Sequence, residues 1–197
     1  RLAAGEIVEL FNGTGAAWSG PVGFSDASAW VELEHRTDRT AESPLAITLL
    51  QSLVAPEKAD WIVEKAVEAG ISEIVFMPAE RSVTKLAGER LEKRLARITD
   101  IARSAAEQCG RNVVPLVRAV PSLEAGFKTV SGGVKFVLAP GADASAASSM
   151  LPGLLSVDFA VGPEGGFSAR EIEIAAAHGW RPQLLGPRVL RTETAGL

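Results

Sequence analysis

The stretch from Leu45 to Met77 reads LAITLLQSLVAPEKADWIVEKAVEAGISEIVFM, and its rhythm decides the fold class. Residues 45–54 form a nearly continuous apolar run, as expected of a strand buried on both faces of a parallel sheet. Pro56 follows where a first helical turn tolerates proline, because an N–H there has no intrahelical partner. Residues 58–69 read as a helix, and Gly70 suits the left-handed residue that ends one. Ile71–Met77 is apolar again. Strand, helix and strand in sequence predict a βαβ unit and an α/β fold.

Toward the C-terminus the pattern continues. Leu91, Leu95, Ile98, Ala102, Ala105 and Cys109 form one stripe of a helix over 88–109 that Gly110 ends. Cys109 lies on the stripe and reads as a packed thiol. Val113–Val120 predicts a strand that Pro115 pushes to a sheet edge. Val134–Leu138, Val157–Val161 and Gln183–Leu185 predict three more, running into Pro140-Gly141, Gly162-Pro163 and Gly186-Pro187. Ser168 and Glu171 fit a capping box that opens a helix reaching about His178, before Gly179. Toward the N-terminus, residues 1–42 read as a small β domain, incomplete at its front. Glu6–Phe11 and Ala29–Leu33 are its strands, Asn12-Gly13 a tight type I′ hairpin turn, and Gly20, Pro21 and Gly23 breaks between strands. Asp38–Pro44 reads as a linker, which gives domains of 1–42 and 43–197.

Of the 197 residues, 47% are hydrophobic and 22% charged, with mean hydropathy +0.16, a globular composition. No apolar run approaches the ~20 residues that span a bilayer, and no secretory leader is visible. One cysteine and two histidines, His35 and His178, exclude an internal disulfide and argue against a metal site. Low cysteine use fits a cytoplasmic protein. Net charge is −4, yet residues 81–118 hold nine basic and four acidic groups. That stretch reads either as a face that steers a polyanion or as a solvated helix face laced with ion pairs.

Ligands of open α/β sheets bind beyond the carboxyl ends of the strands, so the three glycine–proline turns can wall one pocket. Among them, Val161-Gly162-Pro163-Glu164-Gly165-Gly166-Phe167-Ser168 is the most specific segment. Its spacing fits neither a dinucleotide fingerprint nor a P-loop. A phosphate cradle at a helix N-terminus stays open, as does a role for Glu164 in holding a donor or taking a proton. In the tail, Arg191-Thr192-Glu193-Thr194 is a dense polar cluster with Thr192 or Thr194 as a candidate helix cap.

These segments closely resemble the RsmE family. The similarity rests on Gly162–Ser168, Leu185-Gly186 and Leu190–Ala195, and it extends to Asp60–Ala66, Glu80-Arg81-Ser82, Glu107–Arg111 and Phe136–Gly141. The resemblance spans roughly residues 45–195. It implies a SPOUT methyltransferase domain with a deep C-terminal trefoil knot, preceded by a partial PUA-like β-barrel that helps bind RNA. It further implies S-adenosylmethionine as cofactor, without a metal, and methylation of N3 of a uridine in 16S ribosomal RNA. The small ribosomal subunit would be the partner, and the enzyme a cytoplasmic homodimer. The cofactor would be held around Leu138, Pro140, Gly162, Pro163, Glu164, Gly165, Gly166, Leu185, Gly186, Val189, Leu190, Thr194 and Ala195. Arg191 would stabilise developing charge, and Glu164 or Glu193 would act as base or position Arg191. Arg81, Arg111, Arg94 and Arg97 would contact RNA, with buried ion pairs to Glu80 or Glu107 as the competing role for Arg81 and Arg111. Departures from the pattern are the missing basic N-terminal strand, Ala69 in place of a more usual Leu, and a C-terminal helix expected to be cut short at Leu197.

Two rivals remain at this stage. One is a nucleotide-binding transferase that uses residues 162–166 as a phosphate cradle. The other is a catalytically silent RNA-binding protein. A serine hydrolase has no support, because no GxSxG is present.

Overall fold

A computed structural model describes residues 2–37, 40–130, 133–142 and 153–197. The chain forms two units, one of Arg1–Glu42 with Ala106–Val114 and one of Ser43–Ala105 with Pro115–Leu197.

The first unit is an antiparallel sheet of β1 (Ile7–Phe11), β2 (Ala17–Phe24), β3 (Ala29–Val31) and β4 (His35–Thr37). β2 pairs with all three others. The expected breaks at Gly20, Pro21 and Gly23 are instead interior to β2. A Cβ on Gly20 would lie 1.6 Å from the Glu32 carbonyl oxygen, and one on Gly23 would strike the Trp30 indole. These glycines therefore admit a neighbouring chain rather than turn their own. The β1–β2 connection is also longer than a two-residue turn, since Phe11 faces Ala17. Gly13 and Gly15 take positive φ, Asn12 does not, and the Asn12 carbonyl Oδ1 accepts hydrogen bonds from the Thr14 N–H and hydroxyl. A type I′ turn needs positive φ at both central residues, so an Asx turn wins here.

Residues 106–114 complete this unit. Arg111 is 3% exposed and its guanidinium donates to the Glu42 carboxylate, with Nε 3.1 Å and Nη2 2.5 Å from Oε2. A buried arginine held this way cannot reach an RNA phosphate, which corrects that assignment. Its carboxylate partner is Glu42, not Glu107.

The second unit is a six-stranded parallel sheet in the order β10-β8-β9-β5-β6-β7. Its strands are β5 (Ala46–Ser52), β6 (Glu73–Met77), β7 (Leu116–Ala119), β8 (Val134–Leu138), β9 (Ser156–Val161) and β10 (Arg181–Gln183). Its helices are α1 (Pro56–Glu68), α2 (Gly88–Cys109, whose last four residues group with the first unit), α3 (Leu123–Thr129), α4 (Ala169–Ala177) and α5 (Thr192–Ala195). Pro56 opens α1 and Gly70 follows it at φ 95°. β7 is the edge strand that Pro115 predicted. α3 has no counterpart in the sequence reading; seven residues are too few for a helical period, and its one signal is the Ser122 cap on the Ala125 N–H. α3 sets Phe127 against Trp180, ring centroids 5.3 Å apart, inside a core with Leu50, Val75, Val137 and Ala160.

A polar row crosses this sheet. Lys135, Asp158, Thr48 and Glu73 stand in register on β8, β9, β5 and β6. Arg118 Nε donates to Glu73 at 2.6 Å. Asp158 is buried, and burial pushes its carboxyl up to about 6, with Glu73 adding to the rise and Thr48 and Lys135 opposing it. No helix among the described residues is long and apolar enough to cross a membrane.

Candidate cofactor and active site

The strand order brings the carboxyl ends of β8, β9 and β10 side by side, and β9 lies between β8 and the first strand of the unit, β5. Beyond these ends is a cavity of about 440 Å³, lined by Leu138, Pro140, Gly162–Gly166, Val189–Glu193, Ala195, Val161 and Lys58. A volume of this order suits a nucleoside-sized ligand. A smaller cavity of about 70 Å³ adjoins it, lined in part by Leu185 and Arg188.

The glycine-rich loop owes its shape to its neighbours. Gly166 N–H donates to the Pro163 carbonyl at 2.8 Å, closing a turn, and Gly166 sits at φ 66°. A Cβ on Gly166 would meet no protein atom within 4 Å, so the glycine leaves open the space a ligand needs. Gly165 lies against the Arg81 side chain, and Arg81 Nη1 donates to the Gly165 carbonyl at 2.9 Å. Arg81 thus braces the loop through the Gly165 carbonyl rather than through Glu80, while the residue itself stays exposed. The capping box is present. Glu171 accepts the Ser168 N–H and the Glu80 N–H, each at 2.8 Å. The start of α4 is therefore closed by the protein's own carboxylate, which removes the anion site that a phosphate cradle requires.

The tail segment folds back against this loop. Thr192 is buried; its hydroxyl donates to the Gly162 carbonyl at 2.6 Å and accepts from Gln51 Nε2 at 3.1 Å. α5 begins at Arg191 with no side-chain cap. The sequence reading of a threonine cap is corrected: Thr192 ties α5 to the loop, and Thr194 is exposed and does not line the cavity. Gly186 lies outside the cavity lining as well, at φ 107° in the preceding turn.

Three charged groups stand at the cavity wall besides Arg191. Lys58 Nζ lies 3.2 Å from Glu164 and 3.5 Å from Glu193. Burial pushes the Glu164 carboxyl up, but its own N–H and Lys58 outweigh that and hold it below the usual carboxylate range. An ionised, paired Glu164 is a poor general base. Burial pulls the Lys58 ammonium down, and Glu164 with Glu193 overcomes it, so Lys58 lies above its ordinary range. Arg191 projects into solvent with its side chain 85% exposed, Nη1 4.0 Å from Glu193. Lys58 is the residue sequence reasoning missed, and Thr192, expected there as a candidate cap, instead holds the loop. Nothing in local pattern marks a lysine in the first turn of α1 as part of a pocket more than a hundred residues away.

Of Arg94 and Arg97, Arg94 alone departs from the expected role. Both pair with Asp60, at 2.6 and 2.9 Å, and Arg94 additionally donates to the Pro56 carbonyl. Arg94 is largely buried and anchors α2 to α1, while Arg97 stays exposed. Among the described residues no cluster of histidine, cysteine or carboxylate side chains could hold a metal.

This arrangement of loops has close counterparts. Residues 41–197 match the model of a family described as an RNA methyltransferase domain. Ribosomal RNA small subunit methyltransferase E of Buchnera aphidicola is 30% identical over 99% of this chain and 80% of its own. The chain belongs to the ribosomal RNA small subunit methyltransferase E family. The Bacillus subtilis member is 35% identical over 82% of this chain, an alignment that spans 66% of that protein. A Neisseria gonorrhoeae member, solved bound to S-adenosyl methionine, superposes with a TM-score of 0.90 at 33% identity, over 98% of this chain and 81% of that one. A Legionella pneumophila protein solved with the cofactor SAM gives 0.92 at 32% identity, over 99% and 81%.

Proposed function

We propose that this protein transfers a methyl group from S-adenosylmethionine to N3 of a uridine in the 16S RNA of the small ribosomal subunit. The observation that carries the reading is one cavity at the carboxyl ends of β8–β10, walled by a glycine loop and by α5, with an exposed arginine at its mouth. The residues present fit the cofactor. Leu138, Gly162 and Leu190 line the cavity and would offer main-chain groups to a nucleoside, and the side-chain-free surface at Gly166 leaves room for it. Bound there, the cofactor would supply an electrophilic methyl group whose bonding pair stays with the sulfur, and the uracil nitrogen would take the methyl with the pair left when its N3 proton goes to solvent.

The chain's own residues do the rest. The braced loop and α5 fix the donor's geometry, which supplies alignment. As the imide proton leaves, negative charge spreads onto the uracil carbonyl oxygens. Arg191, unpacked and facing out, is placed to meet that charge. Glu193 steadies Arg191, and Glu164 belongs to Lys58 rather than to the N3 proton.

The reading carries further proposals. Residues 1–42 form part of a PUA-like RNA-binding barrel, and the C-terminal half is knotted. The return of residues 184–196 from the edge strand β10 to the Gly162 loop in mid-sheet supports the knot. The enzyme acts in the cytoplasm as a homodimer. The test is incubation with labelled S-adenosylmethionine and small subunits from a strain lacking the activity, with mapping of the modified base. Label on a uridine N3 is the expected result; label absent, or on another position, overturns the reading.

A further inference from the structure

Lys58 bridges two carboxylates that arrive from different parts of the chain, Glu164 on the glycine loop and Glu193 on α5. All three side chains are less than a third exposed and line the cavity. Arg191, the other cation of the wall, extends into solvent. Lys58 is thus the cation that touches both carboxylates next to the ligand space, and its one charge offsets half of theirs.

The proposed ligand pair differs in one respect that this wall can sense. The methyl donor enters as a sulfonium cation, and the product leaves as a neutral thioether of nearly the same shape. Uncancelled carboxylates beside the cavity would attract the cation and not the thioether. They would favour the bound donor over a transition state in which the sulfonium charge is being lost, which deepens the ground state and slows transfer. We propose that Lys58 is a positioning residue that holds Glu164 and Glu193 at the wall and offsets one of their two negative charges, setting the preference of the cavity between charged donor and neutral product. This inference rests on the methyl-donor reading above.

The experiment measures dissociation constants of S-adenosylmethionine and S-adenosylhomocysteine by calorimetry at low and at moderate salt, for the full-length wild type, K58M, K58R and E164Q. For K58M the donor-to-product affinity ratio rises by about five- to tenfold at low salt, the size expected of one unit charge acting over several ångströms in a partly hydrated site. The rise shrinks as salt screens it. E164Q moves the ratio the opposite way, because it removes one of the two carboxylates and leaves Lys58 balanced against Glu193, and K58R keeps the wild-type ratio. In turnover, K58M lowers KM and kcat together, the split expected when ground-state binding is strengthened. If K58M does not fold, the E164Q shift decides alone. A ratio unchanged in every folded variant, or moved the same way by K58M and E164Q, overturns the Lys58 proposal while leaving the methyl-donor reading intact. A wild type that binds neither ligand overturns both.

Discussion

Replacing Asp158 with Asn should flatten the pH dependence of the second unit's stability. Asp158 is 2% exposed in the middle of a parallel sheet, flanked across the strands by Thr48 and Lys135, with Glu73 one strand further on and Arg118 on Glu73. Its folded-state pKa of about 6 stands above the ordinary value of 3.8. A raised carboxyl means that the folded chain holds a proton the unfolded chain has already released. The contribution to stability is therefore full below the unfolded value and falls as pH climbs from about 4 to about 6. A rise of about two units, at about 1.4 kcal/mol each, costs about 3 kcal/mol by neutral pH. Asn carries no charge at any of these values. Urea unfolding followed by far-UV circular dichroism reports on the helices, which lie almost entirely in the second unit. The stability difference between variant and wild type should widen by about 3 kcal/mol between about pH 4 and about pH 7. Using that change removes any constant offset from the amide's altered hydrogen bonding. Parallel pH profiles for the two proteins would show that Asp158 is ionised in the folded state and that its burial is matched by partners.

Further outcomes follow from the site. Arg191→Ala should cut kcat by roughly a hundredfold or more, the scale of losing one preorganised donor, with S-adenosylmethionine affinity in calorimetry little changed, since the Arg191 side chain extends into solvent. Thr192→Val leaves the Gly162 carbonyl and Gln51 amide without their shared partner. A loss of about 1–3 kcal/mol in denaturant unfolding is expected, with weaker cofactor binding. Arg111→Ala strands Glu42 and should destabilise the protein by about 3–5 kcal/mol, without altering the salt slope of RNA affinity in filter binding.

The βαβ core was legible because its signals are local. An apolar run, a proline at a helix start and a glycine at a helix end each act within a few residues. The 168–177 helix was legible for the same reason, since a capping box is complete within four positions. β2 was not, because Gly20 and Gly23 are required by chains that approach from elsewhere, and sequence alone gives glycine the meaning of a turn. The arginines show the same limit from the side of charge. Composition marks residues 81–118 as basic, but only the fold discloses that Asp60 and Glu42 have already claimed Arg94 and Arg111 and largely buried them. The site's outline, Gly162–Gly166 with Leu190–Ala195, was readable as motif. The lysine that joins their carboxylates was not, since it reaches them through space from α1.

From the first turn of α4, Glu171 accepts a main-chain N–H on each of its oxygens, one from Ser168 at the end of the glycine loop and one from Glu80 beside Arg81. A stretch with three glycines in five positions would ordinarily wander in the free protein. Here its freedom is surrendered when the chain folds, not when a ligand arrives. Association should then run at a rate governed by encounter and desolvation, as with a key entering a cut lock, and little ordering entropy is left to oppose it.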